Sequence, residues 1–320
     1  MEEKQIRKYL RRQFRPLGWS LTVYYAIMNI MVLLTVAVDS ARRSFQELTA
    51  GHFPDPDTIM EATVQNAWGY LITIGIGLVI LLAWKGWDFF REEVFEKRGR
   101  MDIGTFLAIT CVFLGCQVGV SFYASILEVI LNCFGLSAMM ALEAATVQAD
   151  TFSMFLYASI GAPIAEELIF RGFIQRSLMP YGKKFAVFAA ALLFGMFHGN
   201  LVQTPYAFLV GLVLGYVTAE YSILWAIVLH MINNMVLADL LPRLLSGLPQ
   251  MTRDMILGGV VWAFAIAGAV ILIAKRREVK QYLRSECMDR RCLKAFFTNS
   301  GVIVMMLLMV VNMLLMVVPL

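Results

Sequence analysis

Long apolar runs broken by short polar segments organise the whole chain. The runs cover about residues 18–38, 67–84, 103–124, 151–170, 185–198, 206–219, 223–240, 255–274 and 301–318. A helix needs about 20 predominantly apolar residues to cross a bilayer; several windows approach that length, and the fifth and sixth are short. The run at 103–124 continues into 125–136, which holds Glu128 and Asn132 and is expected to lie partly at the interface. Residues 39–65 read as a polar loop with Pro54 and Pro56 as breakers, and 85–102, rich in both charge signs, as a solvated helix extension. No period-two alternation marks a strand. The pattern predicts an all-α, polytopic transmembrane helix bundle of about eight or nine spans. Gly211 and Gly215 repeat a small residue at a four-residue interval, which lets helices approach closely in lipid.

Composition moves the picture the same way. The 320 residues are 59% hydrophobic and 16% charged, against about 25% charged in a soluble domain. The net charge of +4 matters less than its distribution, because basic residues cluster in 4–15, 85–100, 171–184 and 275–294. Such clusters mark cytoplasmic segments. Alternating the spans from a cytoplasmic N-terminus puts every cluster on the inner side, with 39–66, 137–150 (holding Glu143 and Asp150) and 241–254 outside. The first basic stretch followed by a full-length span reads as an anchor, not a cleavable leader. No aromatic-interleaved basic surface points to nucleic acid. Cys111, Cys116 and Cys133 lie in or beside apolar runs, and Cys287 and Cys292 in a basic segment without nearby histidines. They suggest neither a disulfide framework nor a strong metal site.

The chemistry gathers in the second half. Glu166 and Glu167 sit in an apolar run, A-P-I-A-E-E-L-I-F-R-G, near the inner end of the fourth span. A charge at the centre of a bilayer costs about 2.5–3.5 kcal/mol even on lenient scales. Glu167 and Arg171 are four apart and share a helix face, so they can pair. Glu166 is left without a local basic partner, on a face with Ala162, Pro163 and Phe170. Pro163 opens a gap in the hydrogen-bond ladder and is expected to kink the helix. A carboxylate placed like Glu166 can serve as a general base. Phe194 is one turn before His198, which Gly199 follows. His230 and Asn234 are four apart on one face, where an imidazole and an amide can hold a water, a metal or an oxyanion. His52 reads as a surface residue of an outer loop. Asn200, Asn233 and Asp239 read as packing or helix-end residues, and Glu220 as marking an inner turn.

Three motifs in order, Glu166-Glu167-x-x-x-Arg171, Phe194-x-x-x-His198 and His230-x-x-x-Asn234, resemble those of the CPBP family. This family comprises CAAX proteases and bacteriocin-processing enzymes, also called Abi, and includes the Rce1-type prenyl-protein proteases. The resemblance spans roughly residues 155–240 with no departure at the motif positions. It implies an all-helical intramembrane endopeptidase in which Glu166 activates water with help from His198. His230 and Asn234 would stabilise the oxyanion, and Glu167, Arg171 and Phe194 would support the site. His198, near the outer end of its short helix, is in tension with an acid pair near the inner end, which a tilted or displaced fifth helix would relieve.

The expected domain division is 1–150 for N-terminal helices, 151–240 for the catalytic core and 241–320 for C-terminal helices. No cofactor is expected, with zinc on Glu166, His198 and His230 as the alternative, although H-E-x-x-H is lacking. The expected partners are the lipid bilayer and a membrane-associated protein or peptide substrate (a CAAX-like tail, a bacteriocin leader or an anchored regulator). The expected location is a bacterial cell membrane. Competing readings are a non-catalytic bacteriocin-immunity or scaffold protein, and an ion- or proton-coupled transporter. No internal repeat of the transporter kind is visible.

Overall fold

A computed structural model describes residues 3–139, 149–285 and 288–320. Glu143 and Cys287 lie outside these. The protein is a helical bundle and an integral membrane protein. Its elements are α1 (Glu3–Thr49), α2 (Pro56–Val64), α3 (Trp68–Lys85), a π-helical turn (Phe89–Val94) and α4 (Ile103–Asn132). There follow α5 (Phe152–Tyr181), α6 (Lys183–Phe197), α7 (Gln203–Glu220), α8 (Ile223–Leu244) and α9 (Gln250–Ala274). The chain ends with α10 (Arg276–Ser285), α11 (Arg290–Phe297) and α12 (Ser300–Leu315). Two short segments, β1 (Leu136–Ser137) and β2 (Val318–Pro319), pair antiparallel.

Among the described residues, six helices are long and apolar enough to span a membrane: α1, α3, α4, α5, α8 and α9. The bent pair α11–α12, broken by 67°, makes a seventh. The expected count of eight or nine spans is therefore not reproduced, and the difference lies in α6 and α7. The 15 residues of α6 rise only about 22 Å. Both helices are walled in by others, so their apolar character serves the protein core more than the lipid. α6 buries Phe185, Ala186, Ala189, Ala190, Leu193 and Phe194.

Other boundaries moved for local reasons. α1 continues to Thr49, well into the expected loop, with Asp39 accepting from Arg42 and Arg43 at 3.1 and 2.8 Å. Asp55 then caps α2, accepting from the Thr58 amide, with Pro56 opening that helix. The expected solvated extension at 85–102 is instead broken at Gly86 and resumes only as the π-helical turn. Asp102 starts α4 by accepting from the Thr105 amide at 3.0 Å, and α4 runs unbroken to Asn132. Gly182, at φ +122°, makes the tight reversal from α5 into α6, a backbone conformation that side chains with a Cβ rarely adopt.

The four basic clusters meet at one end of the bundle. Arg11 donates to Thr298 at 2.6 Å, Phe14 stacks edge-on against Tyr181, and Arg176 pairs with Glu96 at 3.2 Å. The Arg98 amide donates to the Tyr221 carbonyl, while Glu220 accepts from Lys183 at 2.5 Å and from Tyr282 at 3.2 Å. Elsewhere, Gln65 holds Asp150 and Thr151, and Glu128 accepts from Ser137 at 2.6 Å.

The four-residue glycine interval on α7 works as packing. A Cβ at Gly211 would lie 3.2 Å from the Ala191 Cβ and 3.1 Å from the Phe194 ring. Gly195 on α6 is tighter, since its Cβ would stand 2.7 Å from the Thr204 backbone oxygen. A Gly195→Ala substitution must push α6 and α7 apart, and we expect a loss of about 1–3 kcal/mol in stability. Gly258→Ala on α9 is the control, because open space surrounds that position. Thermal unfolding in detergent compares the two; equal melting temperatures would show that the α6–α7 seam tolerates the added methyl.

Candidate active site

The site is built on four helices, and its geometry begins with a proline. Pro163 leaves α5 continuous but preceded by a π-helical turn, Tyr157–Gly161. In the i→i+5 pattern of that turn, the Ala158 carbonyl would look to residue 163, which has no N–H. Asn234 supplies the missing donor, its Nδ2 lying 3.1 Å from the Ala158 oxygen. Asn234 is held from the other side as well. Its Oδ1 accepts from Asn233 Nδ2 at 2.9 Å, and Asn233 Oδ1 accepts from Tyr206 and Gln117, each at 2.9 Å. This relay fixes the amide orientation and leaves one Nδ2 hydrogen uncommitted by it.

Glu167 and Arg171 pair as their spacing predicts. They approach to 3.1 Å, and both side chains are fully buried. The Arg171 guanidinium lies 4.1 Å from the centre of the Phe194 ring and donates to the Gly211 carbonyl at 3.4 Å. One turn on, Gln175 donates to the Gly215 carbonyl at 2.9 Å. The glycine stripe thus admits α5 closely enough for its polar side chains to reach α7 carbonyls. That is how polar residues beyond Phe170 stay inside the bundle.

Glu167 has a second partner. Its Oε1 stands 2.9 Å from His230 Nδ1. A carboxylate accepts, so Nδ1 carries the proton and Nε2 turns toward Glu166, 3.8 Å from its Oε2. Glu166, without a local partner in the sequence, therefore faces a histidine 64 positions away. His198 is oriented in a similar way, since its Nδ1 donates to the Phe194 carbonyl at 2.9 Å and leaves Nε2 with its lone pair. Phe194 also meets both rings edge-on, at 4.9 Å for His198 and 5.9 Å for His230.

Glu166, His198, His230 and Asn234 all line one cavity of about 290 Å³, together with Phe194, Ser159, Gln203, Tyr206, Asn233 and Asp239. The tension over depth is removed from both sides. The helix carrying Glu166 runs on to Tyr181, so Glu166 is midway along its 30 residues and not near an inner end. α6 starts at the same end as α5 finishes, and its length carries His198 up to the cavity. Gly199, at φ +66°, then turns the chain sharply after His198. No group of three or more His, Cys, Asp or Glu side chains is gathered to hold a metal ion among the described residues.

Asn200 serves a helix end as expected, accepting from the Gln203 amide at 2.7 Å at the start of α7. His52 is exposed and lies 3.4 Å from Glu47. Asn233 and Asp239 brace neighbouring side chains, as expected of packing residues, and both also line the cavity. Tyr206 and Gln117 were missed altogether, since neither belongs to a motif and their neighbours come from other helices.

Residues 148–236 match the family model described as type II CAAX prenyl endopeptidase Rce1-like. The match is to a protease family, and its segment contains Glu166, Glu167, Arg171, Phe194, His198, His230 and Asn234. Comparison with curated proteins and with solved structures returns no match.

Proposed function

We propose, from the CAAX-endopeptidase character of residues 148–236, that the chain hydrolyses a peptide bond of a membrane-associated protein or peptide, using the core at 151–240. The observation that carries this reading is the convergence of Glu166, His198, His230 and Asn234 on one cavity. In the proposed mechanism a water lies between the Glu166 carboxylate and His198 Nε2. As the water oxygen attacks the carbonyl carbon, its proton passes to that base pair. The carbonyl oxygen becomes an oxyanion and accepts from Asn234 Nδ2 and from His230 in its protonated form. Collapse breaks the C–N bond, and the leaving amine takes up the proton. Glu167, anchored by Arg171, accepts from His230 Nδ1 and so keeps Nε2 turned into the cavity. Ordered donors of this kind, set before the substrate arrives, are worth about 10²–10³-fold each in kcat in acyl transfer.

We further propose that the reaction needs no metal and that the basic end of the bundle faces the cytoplasm. The test is incubation of the purified full-length protein in detergent with three peptides: a prenylated CAAX-like tail, a leader peptide and a membrane-anchored segment. Products are read by mass spectrometry. We expect cleavage of at least one peptide, unaffected by chelators and lowered roughly 10²-fold or more by His198→Ala. Loss on chelation with recovery on zinc would sink the metal-free mechanism. Absence of cleavage together with ion uptake into liposomes, abolished at Glu166, would replace the protease with a transporter.

A further inference from the structure

Two polar groups on the cavity wall play no part in the mechanism above. Asp239, on α8, is 4% exposed. Its Oδ1 accepts from Arg243 Nε at 2.9 Å, but its Oδ2 has no hydrogen-bond partner among the described residues. Ser159, on the π-helical turn of α5, is fully buried, and its Oγ likewise lacks a partner among the described residues. Both line the cavity that holds Glu166 and the histidines. Buried polar groups are nearly always hydrogen-bonded, so two orphans on residues that line one cavity point to a ligand. Asp239 also lies beyond the matched segment, which ends at residue 236.

The chemistry of the two groups selects the ligand. Asp239 is charge-balanced by Arg243, so its free oxygen suits a neutral donor better than a second cation. Ser159 can donate through its hydroxyl. A peptide backbone in extended form offers an N–H and a C=O that match this pair. We infer that Asp239 and Ser159 form a backbone-binding subsite for the peptide flanking the scissile bond. Asp239 Oδ2 accepts a substrate N–H, and Ser159 Oγ donates to a substrate carbonyl. Binding relieves the cost of two orphaned groups, so the effect belongs to substrate affinity and register, not to the chemical step.

This inference rests on the proteolytic reading. Its test uses a short peptide spanning the bond cut in the assay above, and a series in which each backbone amide in turn becomes an ester, removing one N–H. In the parent protein, one ester position should raise KM roughly tenfold. In Asp239→Ala, KM for the all-amide peptide should rise by a similar factor, with the loss in KM rather than kcat, and that ester should cause no further loss. Ser159→Ala, a small change that leaves the Asp239–Arg243 pair intact, should raise KM while keeping the ester penalty. Each ester is compared with its amide within one variant, so partial misfolding cancels. Cleavage by the parent with the same ester penalty in Asp239→Ala would overturn the subsite alone. A parent that cleaves no peptide would overturn the proteolytic reading and the subsite with it.

Discussion

Replacing Glu166 by glutamine is expected to lower kcat by roughly 10²–10⁴-fold, the usual contribution of a positioned general base. The substitution is close to isosteric, and Glu166 is not part of the fully buried pair, its side chain being 24% exposed. Stability and KM should therefore change little. The contact that is altered, 3.8 Å to His230 Nε2, is too long for a good hydrogen bond, so little folding energy rides on it. The measurement is kcat and KM on the cleaved peptide, with thermal unfolding alongside. A variant that retains cleavage at the parent rate would remove Glu166 from the chemistry. A large fall in kcat with an unchanged melting point would separate it from Arg171, whose loss is expected to lower the melting point. Cysteine or alanine at this position is a poorer test, because either leaves space for an adventitious water next to His230.

How far this site could be read from the chain depends on the range of each interaction. The pairing of Glu167 with Arg171 is local and follows from helix periodicity. So does the shared face of His230 and Asn234. What periodicity does not give is the partner of Glu166, because His230 is brought to it by the packing of α8 against α5. The place of Asp239 on the cavity wall was not legible for a different reason. On a regular α-helix it lies nine residues from His230, about 180° around the axis, and so points away from the site. The stretch Ile232–Leu240 is π-helical. Its i→i+5 bonding turns less per residue and brings Asp239 back toward the cavity. The wider turn before Pro163 does comparable work for Asn234. Neither departure has a hydrophobic signature. The fold shows the same division. Class and the gathering of the basic clusters at one end were legible from hydropathy and charge. The depth of Glu166 was not, because Arg171, Gln175 and Arg176 end the hydropathic run although the helix continues, their polar groups served by Gly211, Gly215 and Glu96.

The second large effect is expected at Arg171. Removing one member of a fully buried ion pair strands the other, at a cost of about 3–5 kcal/mol. Arg171→Met should therefore lower the thermal stability of the detergent-solubilised protein sharply, since Glu167 is then buried with only His230 Nδ1 beside it. The double variant Glu167→Leu/Arg171→Met separates structure from chemistry. The native pair is imperfectly satisfied: Glu167 Oε2, Arg171 Nε and Arg171 Nη1 have no hydrogen-bond partner among the described residues, although Nη1 is within ion-pair distance. Such pairs are often replaced by apolar side chains of similar volume without loss of stability. We expect the double variant to recover most of the melting temperature lost by Arg171→Met. It should not recover activity, because His230 no longer has the carboxylate that holds its proton on Nδ1, and its Nε2 is no longer fixed toward Glu166. Loss of the carboxylate that orients a catalytic imidazole costs an enzyme orders of magnitude even when the rest of the geometry is intact. Activity restored together with stability would mean that Glu167 and Arg171 serve packing alone. Stability restored without activity makes the buried pair the part that orients His230, and explains why two charges are kept in an apolar interior where one would pack more cheaply as leucine.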